Sequence, residues 1–317
     1  MQYSQLVATG SYLPEKSLTN QQLIQEKGVD TSDEWIVART GIHKRHIITS
    51  QESTSTMAVA AAQRALASSL VSPQEIGLIV VATSTPNKFF PSTACFVQEA
   101  LGIDGCPAFD VVAACAGFNY ALSVADQFIR NHQAKVALVV GSESMSTLID
   151  WGDRSTCVLF GDGAGAVVLR AAEKPGIMST HLHAAGSYQD LLYSAKNLDG
   201  VPTTLVMNGR EVFKLAVEKL GNMIDETLAT HGLAQNEIDW LIPHQANFRI
   251  ITALAGRLKL PMEKVVVTVS EHGNTSAASV PLALDVAVRD GRIKRGQLLL
   301  MESFGAGLAW GSALIRY

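Results

Sequence analysis

Residues 108–129 read AFDVVAACAGFNYALSVADQFI, and residues 265–288 read VVVTVSEHGNTSAASVPLALDVAV. Each opens on an apolar, β-branched run, turns through small residues, and continues with apolar positions at helical spacing. The first predicts a strand over residues 108–114 and a helix over Gly117–Arg130. A strand followed by a helix is the repeating unit of α/β proteins. The two copies sit in a longer parallel. IGLIVVATSTP from Ile76 is answered by IDWLIPHQAN from Ile238, AKVALVVGSE by GQLLLMESFG, and GAGAVVLR by WGSALIRY. Further strands are expected at residues 76–82, 136–140, 157–160 and 164–170, and a helix at 93–101. The order of these segments predicts two similar α/β halves, residues 1–172 and 173–317, with a break at Glu173-Lys174-Pro175-Gly176. In such folds ligands gather beyond the carboxyl ends of the strands, so equivalent loops of the halves converge on one site.

Composition narrows the class. Of 317 residues, 47% are hydrophobic and only 17% charged, against about 25% charged in ordinary soluble domains. With a mean hydropathy of +0.18 the chain does not have the low hydrophobicity and high net charge of disorder. The shortage of charge suggests that part of the exterior is buried against another chain. A net charge of −4 offers no broad basic field for nucleic acid. The longest apolar runs, residues 76–82 and 136–140, fall short of the roughly 18 residues of a membrane span. The first ten residues lack a basic segment followed by an apolar core, so no secretory leader is expected and the cytoplasm is the expected compartment. Cys95, Cys106, Cys115 and Cys157 show no CxxC pairing, which argues for reduced thiols and against a disulfide framework or a metal site.

Three residues carry candidate chemistry. Cys115 ends an apolar strand and opens a helix between small neighbours, where a helix N-terminus favours the nucleophilic thiolate. The other three cysteines read as small buried hydrophobes. His244 follows the strand of residues 240–242, where a catalytic group is presented, although a capping or core histidine also fits that position. Asn274 lies in a turn that aligns with the Cys115 turn, and on its own it could serve only as a helix cap. The combination is stronger than its members. Gly161-Asp162-Gly163-Ala164-Gly165 mimics a dinucleotide fingerprint, but the strand-like Ala166-Val167-Val168-Leu169 follows it where a helix is required. It reads as a tight glycine turn between strands.

These stretches resemble the β-ketoacyl-acyl-carrier-protein synthase III family of the thiolase superfamily. The resemblance covers essentially the whole chain. It rests on TSDEWIVARTGI (31–42), VVAACAGFNYAL (111–122), FGDGAGAVVL (160–169), HQANFRI (244–250), GNTSAAS (273–279) and FGAGLAWGSALIR (304–316). It implies a thiolase-like α/β fold of two duplicated five-layered αβαβα halves with mixed sheets, in a homodimer. It also implies an acyltransferase that starts fatty-acid synthesis by condensing a short acyl-CoA with the malonyl form of acyl carrier protein. Acyl-CoA is then a substrate, and no permanently bound cofactor is implied.

Residue by residue, the resemblance makes Cys115, His244 and Asn274 the catalytic triad. The backbone of Cys115 and of Ala306, in the Gly305-Ala306-Gly307 loop, forms the oxyanion hole. Thr31, Trp35, Arg39, Arg154, Met207, Gly209, Phe213, Ala246 and Asn247 match the coenzyme A tunnel, with Trp35 and Arg154 sandwiching adenine. Arg210 departs from the uncharged polar residue expected beside that tunnel. Phe90 matches the residue that closes the partner's acyl pocket, which favours a short starter such as acetyl, and Phe304 flanks the cysteine. Lys214, Arg249 and Arg257 suggest a basic docking patch for the acidic carrier protein. A starter ketosynthase or acyltransferase of secondary metabolism shares the same residues. A papain-like hydrolase also uses Cys, His and Asn in this order, but Ala113-Ala114-Cys115-Ala116-Gly117 lacks its local signature.

Overall fold

The computed structural model describes residues 2–195 and 203–317. Two mixed sheets organise it. The first contains β1 (Tyr3–Tyr12), β2 (Leu78–Ala82), β3 (Ala108–Val111), β4 (Val136–Ser144) and β5 (Asp162–Ala172), in the order β1-β5-β4-β2-β3. The second contains β6 (Ile177–Ala184), β7 (Trp240–Pro243), β8 (Leu298–Gly305) and β9 (Ala309–Arg316), in the order β7-β8-β9-β6. Strands β2 and β4 run parallel, and β5 is antiparallel to β4 and to β1. The second sheet repeats the pattern: β7 and β8 are parallel, and β9 is antiparallel to β8 and to β6. A parallel bridge from Leu241 to Val265 stands where β3 stands in the first sheet. The duplication inferred from the sequence is therefore a duplication of sheet topology.

Helices complete five layers. α1 (Asp33–Thr40) belongs to the mouth of the site, while α2 (Thr54–Ala67) and α3 (Thr93–Ala100) cover the outer face of the first sheet. α4 (Gly117–Arg130) and α7 (Ser279–Arg289) lie between the sheets, where Phe118, Leu122, Val280 and Leu284 pack with Val80 and Met301. α5 (Gly209–His231) and α6 (Phe248–Leu258) cover the outer face of the second sheet. Strands buried on both faces read as continuous apolar runs, as residues 136–140 of β4 do, and all nine residues of that strand are buried. Part of the low charge content follows directly from this layering.

Three local expectations are corrected. Residues 157–160 are not a strand, because Asp153 caps a short helix over Arg154–Cys157 by accepting from the Ser155 N–H at 2.8 Å. The strand expected to reach residue 114 ends at Val111, and Ala114 takes a left-handed φ of 46°. Gly163 and Gly165 lie inside β5 and form no turn. Their lack of a side chain lets α7 approach, since a Cβ on Gly165 would lie 2.6 Å from the Leu282 nitrogen.

Candidate active site

Cys115 is the middle residue of a single 3-10 turn, Ala114–Ala116, that joins β3 to α4. The left-handed Ala114 aims the next residue away from the sheet, toward the second half of the chain. A matching turn, Ser276–Ala278, precedes α7, and its first residue also has a left-handed φ of 50°. The turns superpose Ala114 on Ser276, so the counterpart of Cys115 is Ala277, and Asn274 precedes its turn. The repeat aligns the two turns and offsets their reactive residues.

Burial pushes the Cys115 thiol up to about 12; a hydrogen bond from Ser276 opposes this and the charge of Glu143 adds to it. Removing the sulfur from water thus opposes the thiolate that a helix N-terminus favours. Gly305, at the end of β8, passes so close that a Cβ there would lie 2.6 Å from the Cys115 nitrogen.

His244 follows β7 directly, its backbone N–H donating to the Glu302 carbonyl at 2.7 Å. Its Nδ1 lies 2.5 Å from the Ser279 hydroxyl. That hydroxyl accepts the Gln245 N–H at 3.4 Å, so its own proton is free for Nδ1. The imidazole then carries its hydrogen on Nε2. Burial lowers His244 to about 3, which keeps the ring neutral. Gln245, fully buried, pins the loop: its amide donates to the Pro243 and Val266 carbonyls at 2.7 and 3.0 Å and accepts from Thr268 and Val269 N–H at 2.8 and 3.1 Å.

Asn274 is held by its backbone. Its N–H donates to the Leu159 carbonyl at 2.8 Å and its carbonyl accepts from Gly161 at 3.0 Å. Its Oδ1 accepts the Ser276 N–H at 2.9 Å, which leaves the Nδ2 hydrogens for the cavity. Behind this segment, the buried Arg45 guanidinium donates to the Val158 and Leu18 carbonyls at 2.9 and 3.2 Å.

Cys115, His244 and Asn274 share the wall of one cavity of about 490 Å³. Trp35, Arg39, Met207, Gly209, Phe213, Ala246, Asn247, Arg249 and Phe304 line the same space, as does Arg210. A second cavity of about 980 Å³ also reaches Cys115 and is bordered by Ser276 and Ala306. Thr31, Phe90, Arg154, Lys214 and Arg257 lie off these walls. Thr31 is half-buried with its hydroxyl unpartnered. Arg154 and Arg39 each rest on the Trp35 ring at 4.9 Å. The Trp35 ring expected to take adenine is therefore covered by these two guanidinium groups. Phe90 is 85% exposed. Lys214 is exposed, Arg249 stacks over Phe213 at 5.1 Å, and Arg257 is ion-paired with Asp225.

Ser279, Gln245, Ser276 and Glu143 complete the site but were not singled out by sequence reading. Their types are common, and only the fold brings them beside the triad. Chemically, one thiol and two neutral N–H donors converge in an enclosed space. Such donors stabilise negative charge that develops on a carbonyl oxygen during reaction. Among the described residues, no group of three or more His, Cys, Asp or Glu side chains could hold a metal ion.

The sequence matches the family described as 3-oxoacyl-[acyl-carrier-protein] synthase III over residues 109–186, and the C-terminal region of that family over residues 228–317. It is 58% identical over 320 residues to the beta-ketoacyl-[acyl-carrier-protein] synthase III of Methylococcus capsulatus, covering 99% of each chain. The crystal structure of 3-oxoacyl-[acyl-carrier-protein] synthase III from Aquifex aeolicus is similar with a TM-score of 0.94 and 50% identity, over 99% of this chain and 100% of that one. The priming beta-ketosynthase of the R1128 polyketide pathway is similar with a TM-score of 0.94 and 39% identity, over 99% and 96%.

Proposed function

The chain belongs to the 3-oxoacyl-[acyl-carrier-protein] synthase III family, and from that premise we propose that it makes an acyl-Cys115 thioester from a short acyl-CoA and condenses it with malonyl-acyl carrier protein. The enzyme is an acyltransferase of the initiating condensation of fatty-acid synthesis. The observation that carries the assignment of residues is that Cys115, His244 and Asn274 border one cavity that runs out to Trp35 and Arg39.

In the first half-reaction the Cys115 sulfur attacks the acyl carbonyl, and the carbon–sulfur bond to coenzyme A breaks. Backbone N–H groups of Cys115 and Ala306 stabilise the oxyanion. In the second, His244 Nε2–H and Asn274 Nδ2–H donate to the malonyl thioester oxygen. Loss of CO2 places enolate charge on that oxygen, so donors fixed there lower the barrier selectively. The carbanion then attacks the acyl carbonyl, the bond to Cys115 breaks, and the 3-oxoacyl product leaves. Phe304, against the triad, favours departure of the malonyl carboxylate.

Met207, Gly209, Phe213, Ala246 and Asn247 hold the pantetheine arm in this reading, with Trp35, Arg39, Arg154 and Thr31 at the mouth. Arg210 adds a phosphate contact. Lys214 and Arg249 are the cations offered to the carrier protein, with Arg257 tied to Asp225. The chain acts as a homodimer, an arrangement supported by the 85% and 75% exposure of Phe90 and Val112 on one chain. Phe90 then closes the partner's acyl pocket and selects acetyl. No resident cofactor is assigned. In this reading the enzyme works in the cytoplasm.

The test is incubation with acetyl-CoA followed by mass analysis of the Cys115 peptide. An acetyl group on Cys115 that is lost in Cys115→Ala supports the mechanism; its absence from Cys115 overturns it. The similarity to a priming beta-ketosynthase favours a second reading, a starter enzyme of secondary metabolism. A panel of acyl-CoA lengths with malonyl-carrier protein separates the two by product.

A further inference from the structure

Glu143, near the end of β4, is fully buried beside the site. Its Oε2 accepts from the Thr83 hydroxyl at 3.2 Å, the Ser84 N–H at 3.0 Å and the Thr85 hydroxyl at 2.6 Å. Among the described residues its Oε1 accepts only from the Ser276 hydroxyl, at 3.0 Å. All four donors are neutral, so nothing fixes this carboxylate in its charged form as a buried cation does. The lone pairs are used unevenly: Oε2 is saturated and Oε1 retains room for a proton.

Ser276 connects this carboxylate to the nucleophile. Its left-handed backbone is clamped by Asn274 Oδ1, which accepts its N–H at 2.9 Å. It borders the same cavity as Cys115, and the two turns that carry these residues pack against each other. The nucleophile needs such a connection. It rests as a thiol, and His244 is a weak base whose Nδ1 is already taken by Ser279.

We propose that Ser276 and Glu143 relay the Cys115 proton, Glu143 holding it for as long as the acyl-enzyme exists. The inference rests on the reading of Cys115 as the acylated nucleophile. As the sulfur–carbon bond forms and coenzyme A departs as thiolate, the thiol proton passes to Ser276 Oγ and the Ser276 proton passes to Glu143 Oε1. The coenzyme A thiolate takes its own proton from solvent at the tunnel mouth. When the carbanion attacks and Cys115 leaves as thiolate, the Glu143 proton returns through Ser276 to the sulfur. Each turnover consumes one solvent proton, delivered to coenzyme A, and the enzyme ends as it began. Burial raises the proton affinity of Glu143 above that of an ordinary carboxylate, in the direction this storage requires.

The experiment measures the half-reactions separately in wild type, Ser276→Ala, Glu143→Gln and Cys115→Ala. Rapid quench with acetyl-CoA and peptide mass analysis gives the rate of Cys115 acylation. Addition of malonyl-acyl carrier protein to enzyme already acetylated gives the rate of transfer. The relay predicts acylation about 10²-fold slower in Ser276→Ala and Glu143→Gln, the scale of a lost general base. It predicts that transfer and the KM for acetyl-CoA change less than about threefold, because only proton removal is impaired. Wild-type acylation rates in both variants overturn the relay, and so does an equal loss in both half-reactions, the mark of a structural role. Ser276→Ala leaves Glu143 and its three other donors in place and keeps the test alive if Glu143→Gln fails to fold. Label that persists in Cys115→Ala overturns instead the reading of the nucleophile.

Discussion

The His244 Nδ1 and the Ser279 hydroxyl lie 2.5 Å apart, and Ser279 is the first residue of α7. The imidazole in one half of the site's wall is therefore oriented by the same helix whose preceding turn carries Ser276. Replacing Ser279 with Ala removes the donor that holds the proton on Nε2. Condensation is expected to fall about tenfold, the worth of one buried hydrogen bond. Acylation of Cys115 from acetyl-CoA should stay close to wild type, since in the proposed mechanism His244 acts on the malonyl oxygen. Rapid-quench rates for the two half-reactions check the split, and an equal fall in both refutes the orienting role.

The state of Cys115 has a pH signature. A thiol pushed up to about 12 carries far less thiolate at pH 8 than a free cysteine near 8.5. Alkylation of Cys115 by iodoacetamide in the resting enzyme is expected to be about 10³-fold slower at pH 8 than that of free cysteine. The direction follows from protonation: the group is neutral below its raised pKa, so the rate should climb about tenfold per pH unit between pH 8 and 10. Mass spectrometry of the Cys115 peptide across that range measures it. Rapid alkylation with a plateau by pH 8 would contradict a buried resting thiol.

That Cys115, His244 and Asn274 meet at one cavity was legible because strand-end position, small neighbours and an internal repeat mark them in one dimension. The sheet topology was legible for the same reason. What decides the chemistry of Cys115 was not. Its burial, the approach of Gly305 and the Glu143 carboxylate come from segments far apart in the chain. A position before a helix suggests a thiolate, while the desolvation that opposes it depends on the surrounding volume. Likewise the glycines at 163 and 165 signal either a turn or a close helix contact, and the sequence cannot distinguish a missing Cβ used for φ from one used for packing.

Arg45 gives a stability prediction. Its side chain is fully buried, with its guanidinium between the Leu18 and Val158 carbonyls. Burial lowers it to about 10, so it stays charged at neutral pH and contributes no pH dependence there. Arg45→Met fills similar volume but removes the guanidinium donors from both carbonyls and leaves that of Val158 without a partner. A loss of about 1–3 kcal/mol for that unsatisfied group is expected, read as a lower urea midpoint. Because Val158 adjoins the segment that holds Asn274, condensation should fall more than Cys115 acylation. Stability and kinetics both unchanged would show that water replaces the guanidinium without cost.

Gly305 tests how tightly the two halves must fit around the nucleophile. It ends β8 in the second sheet, while Cys115 follows β3 in the first. A Cβ at position 305 would lie 2.6 Å from the Cys115 nitrogen and 3.0 Å from that of Ala116. Backbone atoms cannot swing aside as a flexible side chain can, so Gly305→Ala must displace either β8 or the Ala114–Ala116 turn. Displacement of a nucleophile by about 1 Å costs about 10²-fold in rate. Acylation of Cys115 is therefore expected to fall at least that far, while binding of acetyl-CoA, which in the proposed reading depends on the tunnel mouth, changes little. Single-turnover acylation rates over a range of acetyl-CoA concentrations separate the two. A wild-type maximal rate would mean that β8 yields and that the nucleophile's position is set by its own turn alone.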